Sequence, residues 1–358
     1  MQLTDLCALQ LHIPFRVSFA HAAARRSSTQ SILVTARAAD GLAGVGEGCP
    51  REYVSAESVE GALAFIASHR GEWLSAIRDM ATLAEWVARH RAMIDVAPAA
   101  WSAVELALLD LIGKTQRMPI EQLLGVRPLA GRYGYTAVLG DAPPRAFERQ
   151  LAVYVQAGFR QYKIKLSGNF GRDEAKVRAL RAVGIDAAAV RADANNLWTD
   201  ARVATNYLAA LAFPFSGLEE PLQPGNFAGM RHIAKTCRTR IILDESLLRL
   251  AQLGEIARDA RRWIVNLRVS KMGGLLRSLE LGIAARRIGV PVIVGAHVGE
   301  TGVLARAGLS LAHALADVVI AREGAFGTHL LERDVVAPSI VFGRRGIVDA
   351  DALGIGIS

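Results

Sequence analysis

The sequence predicts an α/β chain: an N-terminal α+β domain followed by a TIM-type barrel of alternating strands and helices. Three observations carry that expectation. From about Tyr133 onward, apolar β-type runs alternate with helical stretches, the pattern of a parallel sheet. Asp193, Glu219 and Asp244 follow one another at intervals of 26 and 25 positions, about one strand plus one helix of a βα repeat. The 358 residues also exceed the roughly 250 of a typical barrel, which leaves room for a second domain. The expected boundaries are 1–125 for the first domain and 126–339 for the barrel, with the tail 340–358 returning to the first domain.

In the first domain Leu11–Phe15 and Ser31–Ala36 read as strands. Asp40-Gly41 is a hairpin-type turn between Ser31–Ala39 and Gly44–Gly48. Pro98–Thr115 reads as a helix: Pro98 suits a first-turn position, and Trp101, Val104, Ala107, Leu108 and Ile112 form an apolar stripe. The expected barrel strands are Tyr133–Val138, Gln161–Leu166, Ala189–Ala192, Gly217–Glu219, Arg240–Leu243, Trp263–Val269, Val290–Val294 and Val318–Ala321. Eight strands with helices between them favour a closed (β/α)₈ barrel over an open sheet. Ile340–Gly343 reads as a short strand in the tail.

Bulk properties exclude several classes. An apolar content of 51% fills a large core, yet no apolar run reaches the roughly 18–20 residues of a membrane span. Met1-Gln2-Leu3-Thr4-Asp5 lacks the basic and apolar stretches of a secretion signal. Cys7, Cys49 and Cys237 are odd in number and far apart, which points to free thiols in a reducing cytoplasm with no zinc spacing among them. The net charge of +8 comes from arginines scattered among acids, without the basic cluster and aromatics of a nucleic-acid binder. Lysine is rare, with Lys114, Lys163, Lys165, Lys176, Lys235 and Lys271 the only six among 42 basic residues. Two of them within three positions are therefore informative.

Strand alternation puts Lys163 and Lys165 on one face and Tyr162, Ile164 and Leu166 on the other. A lone Lys-x-Lys is usually a solvated strand face. Here three carboxylates end the following strands, on the face where barrels keep their active sites, and they suit a hard cation such as Mg²⁺. A lysine beside such a cation and a second lysine is expected to have a lowered pKa and to serve as a base. Asp193 and Asn195 share a face, although an aspartate at a strand end is more often a helix cap. Alternation aims Glu219 inward with Gly217 and leaves Glu220 on the opposite face, while Ser246 after Asp244-Glu245 reads as a cap for the next helix.

These segments together resemble the enolase superfamily, close to its muconate-lactonizing-enzyme subgroup. The resemblance runs from Gly46-Glu47-Gly48 to Glu300-Thr301-Gly302. It implies an N-terminal capping domain over a modified (β/α)₇β barrel, and Mg²⁺ on Asp193, Glu219 and Asp244, with Mn²⁺ as a substitute. It implies a small carboxylate substrate that loses its α-proton to Lys165, while the metal and Lys163 stabilise the resulting enediolate. It also implies a homo-oligomer.

One position departs from the subgroup. A lysine normally closes the sixth strand, five positions before Gly-Gly; here Asn266-Leu267-Arg268-Val269-Ser270-Lys271-Met272-Gly273-Gly274 places Arg268 there. Arginine stays protonated in a protein and is a poor base, though a good carboxylate clamp. Lys271 resembles the second lysine of the family's segment, and alternation turns it away from the face of Arg268. One-base reactions, cycloisomerisation or elimination, are therefore favoured. The runner-up is a dipeptide or N-acylamino acid epimerase with His297 or Lys271 as second base. A third reading is a metal-containing binding protein whose catalysis has lapsed. In the seventh-strand segment Glu300 ranks slightly ahead of His297 as a site residue, being an acid catalyst, a lysine partner or a helix-end charge, whereas His297 reads equally as a proton donor or a structural histidine. Loops near residues 15–30, with His21, Arg25 and Arg26, and 48–56, with Arg51, Glu52 and Tyr53, are expected to bind the distal part of an acidic substrate.

Overall fold

The computed structural model describes residues 1–21 and 24–353, with the side chains of 18–25 and 352 outside that description. In the N-terminal region β1 (Leu3–Leu11) is followed by a hairpin of β2 (Pro14–His21) and β3 (Ala24–Ser28), then by β4 (Ser31–Ala38) and β5 (Ala43–Gly48). The antiparallel sheet has the order β1-β4-β5, and β2 pairs with β3 apart from it. Asp40-Gly41 makes the expected turn, with Gly41 at φ +88°. Segment 15–30, read as a mobile loop, thus contains a hairpin instead. Its strand β2 is fastened to the far end of the barrel: the Arg16 N–H donates to the Leu330 carbonyl, the Glu332 N–H to that of Pro14.

Helices α1 (Glu52–Ser55), α2 (Val59–Ala76), α3 (Met80–Arg89), α4 (Arg91–Val96), α5 (Pro98–Gln116) and α6 (Ile120–Leu123) follow. Residues Pro98 to Gly113 of α5 are buried without interruption. A helix apolar on every side needs neighbours on every side, and α5 has them in β4 and β5, α2, α3 and the barrel helix α11 (below). Trp73, Trp86 and Trp101 pack ring to ring beneath it, with centroids 4.1–6.0 Å apart. Pro98 sits at the start of α5 as expected, and the Glu57 carboxylate accepts the free N–H groups of Ala99 and Ala100.

A strand β6 (Arg132–Gly134) precedes the barrel, whose eight parallel strands are β7 (Ala137–Leu139), β8 (Tyr162–Lys165), β9 (Val190–Asp193), β10 (Gly217–Glu219), β11 (Ile241–Leu243), β12 (Trp263–Leu267), β13 (Val292–Val294) and β14 (Val319–Arg322). They pair in chain order, and the Thr136 N–H donates to the Arg322 carbonyl at 2.8 Å, joining the first strand to the last. Helices α7 (Pro144–Ala157), α8 (Phe170–Ala182), α9 (Ala201–Leu211), α10 (Phe227–Thr236), α11 (Leu275–Arg287) and α12 (Gly302–Ala314) cover the outside. Two 3₁₀ segments, Leu250–Glu255 and Ala257–Arg262, replace the helix after β11, and among the described residues no α-helix follows β14, only 3₁₀ turns and a short strand in the tail. This is the (β/α)₇β arrangement, with an irregular fifth crossover.

Two sequence expectations are corrected. The run Tyr133–Val138 is not one barrel strand. Its first half is β6, which pairs antiparallel with β15 (Ile347–Asp349), and only Ala137–Leu139 enters the barrel. Residues 340–343 form no strand; the tail contributes β15, which joins residues 132–134 and not the N-terminal sheet. Among the described residues no helix is long and apolar enough to cross a membrane.

Buried carboxylates fix the N-terminal region to the barrel. Glu47, on β5, accepts from the Thr301 N–H and hydroxyl (3.0 and 2.6 Å) and the Leu304 N–H at the start of α12. Glu105, on α5, accepts the Leu276 N–H at the start of α11. Each helix would otherwise begin with buried, unpaired donors. Burial raises the pKa of both carboxyls to about 7. Glu121, on α6, holds Arg306 of α12 in a two-pronged ion pair.

Candidate active site

Side chains at alternate positions of the short barrel strands point inward. Ile242, Ile264, Ile293 and Ala321 form a small apolar layer inside the barrel. At the carboxyl ends of the strands the lining turns to charge. In the parallel register Lys165 is level with Asp193, and Asp193 with Glu219. Lys163, Lys165, Asp193, Glu219, Asp244 and Arg268 are all buried, and their charged ends converge.

Lys163 Nζ lies 2.7 Å from Glu219, 2.7 Å from Glu323 and 3.4 Å from Asp193. Burial opposes its charge, but Glu219, Glu323 and Asp193 more than offset that and raise its pKa. Glu323, just past the end of β14, joins Glu219 and Asp193 around Lys163 and was not among the expected site residues. Lys165 Nζ donates to Asp193 at 2.5 Å. Its carbonyl accepts from Lys176 Nζ at 2.7 Å, and Lys176 is itself held by Asp173 and Asp141.

Asp244 is bound by two cations. Arg268 donates to its carboxylate and lies 3.6 Å from Glu219, while Lys271 Nζ donates to Asp244 Oδ1 at 2.7 Å. Burial pushes the Asp244 pKa up, but Arg268 and Lys271 prevail and hold it well below the usual range. Lys271 was expected to face away from Arg268. In fact β12 ends at Leu267, and the following turn, closed by the Met272 N–H on the Arg268 carbonyl, curls Lys271 back to the same carboxylate. Lys271 Nζ also donates to the carbonyls of Asp244 and Asn266, at 2.6 and 2.8 Å.

Glu220, φ +36°, is a buried brace. It accepts the backbone N–H groups of Asp244 and Ser246 and the Ser246 hydroxyl, at 2.7, 2.7 and 2.8 Å. Ser246 is thus no helix cap. Asn266 donates to Glu219 at 3.0 Å; it fits because residue 295 is glycine, where a Cβ would overlap the Asn266 side chain. Asn195 donates its N–H to Asp193 at 3.0 Å, and its Oδ1 has no partner; neither has Glu245 Oε2. Across the mouth, Glu300 Oε1 accepts the His297 N–H at 2.7 Å and lies 3.2 Å from its Nδ1. His297 is buried, burial lowers its pKa well below the ordinary value, and its Nε2 has no partner.

The chain as a whole is similar to known proteins. Residues 146–358 fit the family model of the enolase C-terminal domain-like fold, and residues 5–125 fit that of the mandelate racemase / muconate lactonizing enzyme N-terminal domain. The chain belongs to the enolase superfamily. Similar relatives include a hydrophobic dipeptide epimerase of Enterococcus faecalis, 27% identical with 97% of this chain and 96% of the relative covered. A chloromuconate cycloisomerase of Cupriavidus necator is 28% identical, with 76% and 74% covered. The solved structure of the Enterococcus faecalis V583 dipeptide epimerase with Mg and the dipeptide L-Leu-L-Tyr superposes with a TM-score of 0.86 at 25% identity, covering 99% of each chain.

In this member of the enolase superfamily the expected substrate-binding residues divide. Arg25 lies outside the described side chains. Arg51, read as an exposed loop arginine, is 1% exposed and donates to the carbonyls of Gln30, Pro50 and Val298 at 2.7–2.9 Å. It braces the loop against the barrel. Tyr53 is half-buried, with the Arg26 guanidinium 5.8 Å from its ring centre. Sequence reasoning missed Glu323, Arg191 and Asn266. Arg191 donates to Glu323 and to the Thr136 hydroxyl. Arg191 and Asn266 stand two positions before Asp193 and Arg268, so the alternation that found the lysines marks both; Glu323 is an acid just past a strand end, as Asp244 is.

Proposed function

We propose that this chain removes the proton α to a substrate carboxylate with Lys165 and completes a one-base reaction, either a cycloisomerisation or a syn elimination. The observation that carries the one-base reading is Arg268. It occupies the sixth strand end, where a second lysine would stand, and it is tied to Asp244. A guanidinium does not give up its proton in a protein. Lys271 is buried, which lowers its pKa, but its Nζ is engaged by three oxygens, the carbonyl and Oδ1 of Asp244 and the carbonyl of Asn266.

Asp193, Glu219 and Asp244 are the residues that would hold Mg²⁺. The donors are hard oxygens on successive strand ends, fully buried and close enough that Asp193 and Asp244 each raise the pKa of Glu219. The partnerless oxygens of Asn195 and Glu245 lie beside them. When bound, the ion supplies Lewis-acid polarisation of the substrate carboxylate. Lys163, kept charged by Glu219 and Glu323, stands as a fixed cation toward the negative charge that grows as the α-proton leaves. Lys165 has one carboxylate partner where Lys163 has three within 4 Å, so Lys165 is the less tightly held of the two. Lys176 fixes the strand end that carries it.

His297 supports a second reading, a two-base epimerase. Its ring is oriented by Glu300 and its buried Nε2 has no partner, and relatives named as a hydrophobic dipeptide epimerase and an L-Lys-D/L-Arg epimerase match along nearly the whole chain. Incubation in D₂O with Mg²⁺ and panels of dipeptides, N-succinylamino acids, sugar acids and muconates separates the readings. A product of changed mass or connectivity, with no inverted substrate, supports one base. Deuterium in recovered substrate of both configurations overturns it in favour of His297.

A further inference from the structure

We infer that Cys49, His297 and Glu300 form a site for a thiophilic divalent cation such as Zn²⁺ at the seam between the N-terminal sheet and the barrel, separate from the three-carboxylate set. Cys49 directly follows β5, and His297 and Glu300 lie in the turn after β13. Each offers one ligand atom, and the three atoms lie within 4.8 Å of one another. The imidazole supplies a second and independent sign. Glu300 Oε1 lies 3.2 Å from Nδ1, and Nε2 is buried and without a partner; with the ring proton on Nδ1, Nε2 carries the lone pair. A histidine that donates its other N–H to a carboxylate is the usual arrangement of a metal-ligating imidazole.

The ligand types select the ion. Thiolate and imidazole favour Zn²⁺ or Co²⁺ over Mg²⁺, and three protein ligands leave the fourth tetrahedral position open. On binding, the cation displaces the protons that burial holds on the Cys49 thiol and the Glu300 carboxyl, and the resulting thiolate and carboxylate balance its two charges beside the guanidinium groups of Arg51 and Arg268. The scaffold is already in place. The Cys49 N–H donates to the Ser270 hydroxyl at 2.8 Å, and Arg51 ties Gln30 and Pro50 to Val298. The cysteines show no zinc spacing in sequence because the partners of Cys49 come from the other end of the chain. A cation held here engages His297 and fastens the mouth of the barrel, so Zn²⁺ is an inhibitor.

The test uses the Mg²⁺-loaded protein, reduced and free of oxygen, titrated with Co²⁺. The expected result is one equivalent of near-ultraviolet thiolate-to-cobalt absorption that C49S abolishes and that C7S and C237S leave unchanged. D244N keeps the band, because that substitution touches only the three-carboxylate set; a failure there is thereby told apart from a failure here. H297Q raises the half-saturating cobalt concentration by about tenfold or more. Absence of the band in the wild-type protein, or a band that survives C49S, overturns the assignment.

Discussion

Arg268→Met probes the site most directly, because it removes one charge while keeping much of the side chain's length. Arg268 is 7% exposed; it contacts Asp244 and lies 3.6 Å from Glu219. Breaking a buried ion pair from one side costs about 3–5 kcal/mol, since the other charge is left uncompensated. Asp244 keeps Lys271 at 2.7 Å, which places the expected loss at the lower end, about 3 kcal/mol. For a chain of this size that is a fall in Tm of about 4 °C. The loss should depend on metal. A divalent cation at Asp193, Glu219 and Asp244 replaces the missing charge, so saturating Mg²⁺ should recover a substantial part by mass action. Thermal unfolding of both proteins, with chelator and with excess Mg²⁺, measures this. An equal loss in the two conditions refutes the placement of the cation beside Asp244, and no loss in chelator refutes the structural account of Arg268.

Lys165→Met should lower α-proton exchange by about 10²–10⁴-fold; exchange near the wild-type rate, read by NMR in D₂O, would reassign the base. Glu47 and Glu105 have pKa values raised by burial to about 7, above the unfolded value of about 4.3. Between those values the folded chain holds protons that the unfolded chain has released. Their contribution to stability is therefore full below about pH 4.3 and lost as pH rises through 7, with a slope of at most about 1.4 kcal/mol per pH unit for each group. Glu105→Gln should flatten the decline in Tm from pH 5 to 8, and an unchanged slope would show that Glu105 does not titrate there. Gly274→Ala places a methyl group against the Glu105 carboxylate at φ +100° and should cost about 1–3 kcal/mol in urea unfolding; a wild-type midpoint would contradict that packing.

Much of the fold is legible in the chain because two periods are built into it. The βα repeat sets the spacing of Asp193, Glu219 and Asp244, and strand alternation puts Lys163 and Lys165 on one face. What escapes is set by where strands stop. The Lys271 side chain was misplaced because alternation was extended past Leu267, where the strand ends. Tyr133 belongs to an apolar run that supports a strand of either kind, and only its partner at 347–349 shows that it lies outside the barrel. Arg51 looks solvent-facing by type. Its burial depends on three backbone carbonyls, one of them from Val298, far away in the chain. The raised pKa of Lys163 follows first from Glu219 and then from Glu323, which reaches it only when the last strand closes against the first.

The glutamates that finish α11 and α12 have a consequence for how such proteins can be recombined. Because Glu47 and Glu105 come from the first 125 residues, a barrel transplanted without them would begin two helices on bare amide groups inside a dry interface. A chimera that borrows its N-terminal part from a relative should keep a sound barrel only if acceptors arrive at both positions. Strand β2 and Arg51 add their own ties to the barrel at Leu330, Glu332 and Val298. Modularity in this chain thus stops at this joint, and whole-domain exchange has to carry it along.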